Sequence, residues 1–142
     1  MPGCEKYAVV DFAAFDPLAV KTTGAGPVDD HVYVNVGSPY ASGILATGPG
    51  PGAHYGYGIA SQVIQDKVRR IQEVCAAHGV HLKAAALQFP LAHPAVVSVI
   101  PGAARPAEVS DNIAMLSAPI PTSFWGSLKT EKLIDASAPV PA

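Results

Sequence analysis

The rhythm of polar and apolar positions changes along this chain, and each change marks an element. Val32-Tyr33-Val34-Asn35-Val36 is dense in β-branched and aromatic residues, which predicts a strand. Further on, Ile64, Val68, Ile71, Cys75 and His78 recur at offsets of four, three, four and three, while Arg69, Arg70 and Glu73 fall off that stripe. This spacing predicts an amphipathic surface helix with Ser61 as its N-cap and Gly79 as a left-handed C-terminal cap. Leu82 to Ala92 reads as a second, more buried helix, Ala-rich and nearly uncharged, which Pro90 kinks or ends. Val96 to Ile100 is a continuous apolar run of the kind found in fully covered parallel strands. Pro106 to Leu116 predicts another helix, and Thr122 is placed to cap a last one running through Ser123-Phe124-Trp125 to Leu133.

The intervening segments lack such rhythm. Residues Gly37 to Gly58 are dominated by Gly, Pro, Ser and Tyr, and a loop of about twenty residues inside a compact domain is usually functional or disordered. Ahead of them, Met1 to Asp30 joins an apolar run, Tyr7 to Phe15, to a loose stretch, Lys21 to Pro27, consistent with one strand or short helix and a linker. The Pro- and Ala-rich end, Ala136 to Ala142, is expected to fray. Strand, long loop, two helices, strand, two helices is an α/β order, which implies parallel strands covered by helices.

Composition narrows the functional classes. At 142 residues, with 49% hydrophobic and 14% charged residues, the chain suits one folded domain with a real core. The net charge is −2 and the nine basic residues are scattered, so no electrostatic footprint for nucleic acid is present. No apolar run approaches the roughly 18 residues of a membrane span, and the expectation is a soluble cytoplasmic protein. Cys4 and Cys75 are too few and too far apart for a disulfide framework or metal site, so free thiols are expected.

The chemistry-bearing segment is Val99-Ile100-Pro101-Gly102-Ala103-Ala104-Arg105-Pro106, leading on to Asn112. It reads as a buried strand, a small-residue turn and a helix start, where unpaired N–H groups and the positive dipole end suit a phosphate. An ordinary strand-to-helix connection has the same pattern. The five histidines, His31, His54, His78, His81 and His93, fall in loops or at helix ends, and no His or carboxylate pair has ligand spacing on one helix face.

Three motifs in order carry a resemblance: Ser38-Pro39-Tyr40-Ala41-Ser42-Gly43-Ile44-Leu45, His78-Gly79-Val80 followed by Ala84-Ala85-Ala86-Leu87-Gln88-Phe89, and Val99-Ile100-Pro101-Gly102 with Asn112. Residues from about Val32 to Asp135 resemble the C-terminal part of an aldo-keto reductase, a (β/α)8-barrel family of nicotinamide-dependent oxidoreductases. The wording Gly37-Ser38-Pro39-Tyr40, Leu87-Gln88-Phe89-Pro90-Leu91 and His93-Pro94 is most similar to the aldose dehydrogenase branch. The implied fold is α/β, a partial TIM barrel covering about strands seven and eight with their helices. Residues 31–135 would form this half-barrel, 136–142 the tail, and 1–30 a segment matching no part of the family. Such a piece leaves open sheet edges and an uncovered apolar interior, so marginal stability, self-association or dependence on a partner is expected. Residues near Val9 to Phe15 could add a surrogate strand without closing the sheet.

The resemblance also implies a site. Ser38, Tyr40, Ser42, Gly43 and Leu45 would line the pyrophosphate and nicotinamide-ribose side of a dinucleotide. Gly102, Ala103, Ala104, Glu108, Asp111 and Asn112 would surround its adenosine end, where an amide able to donate and accept suits an adenine edge. NADP-preferring members carry Lys where this chain has Gly102 and Arg where it has Glu108. Glu108 would repel a 2′-phosphate and could accept from a free ribose hydroxyl, so NAD is expected over NADP. Many members have a stacking aromatic where Gly37 stands; Tyr40, Tyr55, Tyr57 or no residue takes its place. The family's Asp, Tyr, Lys and His tetrad is not recognisable here, so no catalytic residue and no metal ligand is assigned. Two classes remain: a C-terminal oxidoreductase piece, truncated, split or wrongly started and inactive alone, that needs its missing half to act on a sugar or small carbonyl, or a non-catalytic binding or interaction module derived from the barrel.

Overall fold

The structure, a computed structural model, describes residues 34–142. The readings for the first 33 residues, among them the Val9–Phe15 element, His31 and the start of the predicted strand, lie outside the described residues. In chain order the elements are β1 (Val34–Gly37), a 3-10 turn (Ala41–Gly43), α1 (Ile44–Thr47), β2 (His54–Tyr55), β3 (Gly58–Ile59) and α2 (Gln62–His78). They continue with α3 (Leu82–Gln88), a 3-10 turn (Pro90–Ala92), β4 (Val96–Ile100), α4 (Pro106–Leu116) and α5 (Thr122–Thr130).

The α2 helix follows its sequence signals at every point. Ser61 Oγ accepts from the Ile64 N–H, Gly79 turns the chain at φ 65°, and Val80 N–H closes onto the Cys75 carbonyl. Val68, Ile71 and Cys75 are buried, Ile64 and His78 partly so, and Arg69, Arg70 and Glu73 are exposed. The α3 helix stops at Gln88, and Pro90 opens a 3-10 turn where the helix was expected to run on to Ala92. The Gln88 amide then donates to the carbonyls of Met115 at 2.9 Å and Ala118 at 2.8 Å, satisfying acceptors at the end of α4.

Parallel strands need a long crossover, and the helices between β1 and β4 supply it. The two strands pair in parallel, Asn35 with Ser98, Val36 with Val99 and Gly37 with Ile100. On one side of this pair lies the core, where Phe124, Trp125 and Leu128 of α5 meet Ile71 of α2 and Leu87 of α3, each at most 1% exposed. Phe124 and Trp125 pack edge to face at 4.8 Å, and Phe89 lies 5.9 Å from the indole.

Four expectations need correction. The α5 helix begins at Thr122 itself, with Pro121 in the cap position and no side-chain cap, and it ends at Thr130 instead of Leu133. Lys132, at φ 57°, takes the left-handed position usually given to Gly, and Leu133 N–H returns to the Leu128 carbonyl at 2.9 Å. The stretch from Gly37 to Gly58 is organised: besides α1 it holds a β2–β3 hairpin with Gly56 and Tyr57 both at positive φ, as a two-residue primed turn requires. The tail packs in part, since Ala138 is buried and Val140 lies against the core. Finally, β4 is not fully covered: Val96 is buried, but Val97 is 53% and Ile100 60% exposed. Val109, Ile113 and Leu116 of α4 are exposed as well and line an apolar groove with Leu87 and Val99.

Candidate functional site

Where the chain leaves β1, the backbone adopts left-handed conformations at Ser38 (φ 52°), Ala41 (φ 50°) and Ser42 (φ 60°) before Gly43 (φ 104°). Each non-glycine residue held there costs of order 1–3 kcal/mol, and such strain gathers at ligand sites. Ser38, Ser42 and Gly43 belong to one wall of a cleft of about 510 Å3, while Ala41 turns into the core. Ser38, Tyr40, Ser42 and Gly43 line it from the β1 side, and Gly102, Glu108 and Asn112 from the turn and helix after β4. Two segments some sixty residues apart thus meet as the sequence motifs implied.

A buried hydrogen bond ties the walls together: Tyr40 Oη donates to Asn112 Oδ1 at 2.6 Å. Burial, reinforced by the Asp111 carboxylate, pushes the Tyr40 phenol up to about 12, so it keeps its proton. Asn112, expected beside the adenosine end of a dinucleotide, is only 7% exposed. Lys83 Nζ sits 5.3 Å from the centre of the Tyr40 ring and pairs with Asp111.

The other end of the cleft is electrically filled from within. Glu108 Oε2 accepts the Ala104 N–H at 2.7 Å, while Oε1 accepts from Arg105 Nε at 3.0 Å and Nη2 at 2.8 Å. The Ala104 N–H first, and then Arg105, hold the Glu108 carboxyl below the usual carboxylate range. Hence a carboxylate from α4 occupies part of the turn in which an external anion was expected.

Four predicted residues are not on the cleft. Leu45 is fully buried in the core, and Asp111 is engaged with Lys83. Ala104 gives its N–H to Glu108, and Ala103 lines a separate apolar groove of about 180 Å3 with Val109, Ile113 and Leu116. Conversely, Ala46, Thr47, Lys83 and Arg105 line the cleft without having been singled out. Arg105 lies inside the quoted turn motif and could have been found there, whereas Lys83 carries no local signal because α3 delivers it from elsewhere in the chain.

Tyr40 is unable to replace the stacking aromatic absent at Gly37, since its ring is buried and its hydroxyl is spent on Asn112. Tyr57 is 92% exposed, and its N–H donates to Ser42 Oγ at 3.0 Å, fastening the hairpin to the cleft wall. His78 has a packing role, with Nε2 3.0 Å from Ser127 Oγ and its ring edge-on to Phe124. Among the described residues no group of three His, Cys, Asp or Glu could hold a metal ion, and no helix is long and apolar enough to cross a membrane.

Residues 29–131 match the model of the aldo/keto reductase family. The chain is 35% identical over 132 residues to a pyridoxal 4-dehydrogenase from Microbacterium luteolum, covering 91% of this chain and 36% of that protein. It is 38% identical over 98 residues to a D-threo-aldose 1-dehydrogenase from a Pseudomonas species, covering 68% of this chain and 30% of that one. The chain therefore spans about a third of the length of the curated relatives it matches. A match covering 91% of the chain must also run into the residues before the family model begins, the segment in which no resemblance had been recognised. The family match, the order of the three motifs and their relatives in the aldose dehydrogenase branch agree: this chain belongs to the aldo/keto reductase family.

Proposed function

We propose that this chain carries the dinucleotide half-site of an NAD(P)-dependent oxidoreductase acting on a sugar or small carbonyl, with β1 and β4 as strands seven and eight of a barrel. The observation that carries the reading is the cleft itself, where strained backbone after β1 faces Gly102, Glu108 and Asn112 across one opening. Enzymes of this family use nicotinamide dinucleotides, which supply hydride transfer. The residues here would bind and orient the dinucleotide. The family's proton-donating tyrosine belongs to the early strands, so the chain alone is proposed to bind without turnover.

NAD is the proposed preference. Glu108 places a negative charge at the cleft and occupies Arg105, and both effects disfavour a 2′-phosphate. Calorimetric titration of the chain with NAD and with NADP tests the reading. Binding of NAD with weaker binding of NADP is expected, and absence of binding to either at millimolar ligand would refute it. Glu108→Gln keeps an acceptor for the Ala104 N–H but releases Arg105, so NADP affinity should rise relative to NAD. Equal or tighter NADP binding by the unaltered chain refutes the preference. An assay of NAD reduction with aldoses or pyridoxal should show no turnover without the remaining barrel strands.

The second reading, a non-catalytic interaction module, is favoured by the exposed apolar groove on α4. Retained self-association with no dinucleotide binding would select it. The cytoplasm, with its pool of nicotinamide dinucleotides, is the compartment in which we place the chain. Nucleic acid and membrane are not among its proposed partners.

A further inference from the structure

We infer that Tyr57 is a positioning residue that acts through its backbone: its N–H holds Ser42, and with it the left-handed segment from Ser38 to Gly43, in the arrangement that receives a ligand's phosphate. The inference rests on the dinucleotide reading above and names what keeps the phosphate-facing wall in place. The hairpin ladder pairs His54 with Ile59 and Tyr55 with Gly58, which leaves Gly56 and Tyr57 as the turn. From that turn the Tyr57 N–H reaches out of the hairpin and donates to Ser42 Oγ at 3.0 Å. A backbone N–H can only donate, so the serine oxygen is the acceptor and the bond has one possible direction. Ser42 in turn lines the cleft.

Both partners sit where a side chain is disfavoured, Ser42 at φ 60° and Tyr57 at φ 66°. Residues in such conformations persist only when the surrounding structure over-determines them. Inside the segment the backbone bonds are short in reach: Ala41 N–H returns to the Ser38 carbonyl and Gly43 N–H to the Tyr40 carbonyl, each at 2.9 Å. From elsewhere in the fold, the bond between Tyr40 and Asn112 secures the segment to α4, and the bond from Tyr57 secures it to the hairpin. The hairpin is itself anchored and can therefore act as a brace. Ala60 N–H closes its base onto the Ala53 carbonyl at 2.8 Å, Ala60 is buried, and Ala53 and Tyr55 pack against the core. The Tyr57 ring, 92% exposed, adds almost no packing, so what this position gives the wall is its N–H.

The test replaces Tyr57 in the full chain by its α-hydroxy acid analogue, 4-hydroxyphenyllactate, which keeps the ring and exchanges the N–H for an ester oxygen. In calorimetric titrations this ester chain should bind NAD and ADP about three- to tenfold more weakly than the unaltered chain, the usual worth of one neutral hydrogen bond, while its thermal melt stays cooperative. Tyr57→Gly, which keeps the N–H and loses the ring, should bind both ligands within about twofold of the unaltered chain. A second measurement needs no variant. Coupling is reciprocal, so a ligand that favours the braced wall must strengthen the brace, and saturating NAD should slow hydrogen exchange at the Tyr57 amide by the same factor. A purely structural role would leave that exchange indifferent to NAD. Unchanged affinity in the ester chain, a loss in Tyr57→Gly as large as in the ester, or exchange at Tyr57 unmoved by NAD each overturns the inference while leaving the dinucleotide reading intact. Failure of NAD and NADP alike to bind the unaltered chain refutes that reading and this inference with it.

Discussion

The apolar groove on α4 gives a prediction whose size can be worked out. Val109, Ile113 and Leu116, which line it, are 50%, 63% and 42% exposed. Fully burying such a side chain contributes about 1.5–3 kcal/mol, so covering the exposed half of each yields ~1 kcal/mol, or ~6 kcal/mol when two copies cover one another's grooves. Bringing two separate molecules together costs about 4–15 kcal/mol. The gain clears only the lower end of that range, so a second copy should cover this groove only at high protein concentration. A segment tethered to the same barrel would escape most of that cost. Sedimentation is therefore expected to show monomer at about 10 µM and reversible association approaching 1 mM, with binding of a hydrophobic dye across the range. Ile113→Lys removes the most exposed of the three and adds a charge. It should abolish the association and leave the melting temperature nearly unchanged, because the side chain is mostly in solvent already. A tight dimer at micromolar concentration, association indifferent to Ile113→Lys, or a dye-silent monomer at 1 mM would each refute the reasoning.

Other perturbations separate packing from backbone effects. Phe124→Ala, at a fully buried ring between His78 and Trp125, should cost about 3–5 kcal/mol in urea unfolding. Tyr57→Gly should raise stability by up to about 1 kcal/mol, since the side chain is exposed and its backbone sits at φ 66°, which a Cβ disfavours. Alkali should destabilise the fold: burial pushes the Cys75 thiol up to about 12 and Tyr40 also to about 12, above their unfolded values of 9.0 and 10.0. The unfolded chain then loses these protons first, and stability falls as pH rises from about 9 toward 12. Urea melts across that range, with Cys75→Ala and Tyr40→Phe flattening the fall, check the sign.

Legibility followed how local each signal was. The α2 helix was readable to its ends because stripe, cap and stop glycine all lie within the element. The end of α5 was not, because Lys132 takes a backbone conformation that composition assigns to Gly, and the Leu133 and Ile134 contacts that hold it there are tertiary. The apolar run of β4 was read correctly as a strand but wrongly as covered, since a sequence shows what a strand can bury and says nothing of what lies over it. The hairpin at Gly56-Tyr57 was hidden by the same cause as Lys132, a non-glycine residue at positive φ.

The turn after β4 shows how one sequence signature can have two physical causes. Small residues and a Pro-started helix signal a place for an anion, and Glu108 reaches back to fill part of that turn with a carboxylate from the chain. The same signature thus describes a phosphate turn and a helix that caps itself. Which one applies depends on the residue at the third helical position, where an acidic side chain can contact the preceding backbone. The consequence for the proposed site is a division of labour. With Arg105 and Lys83 each paired to a carboxylate, the α4 end offers little net charge and suits an uncharged sugar and base. The strained segment from Ser38 to Gly43 and its hydroxyls are then the part of the cleft left to meet the phosphates. On this reading the charge of the ligand is handled by the loop after β1, and its sugar and base by the end that Gly102, Glu108 and Asn112 line.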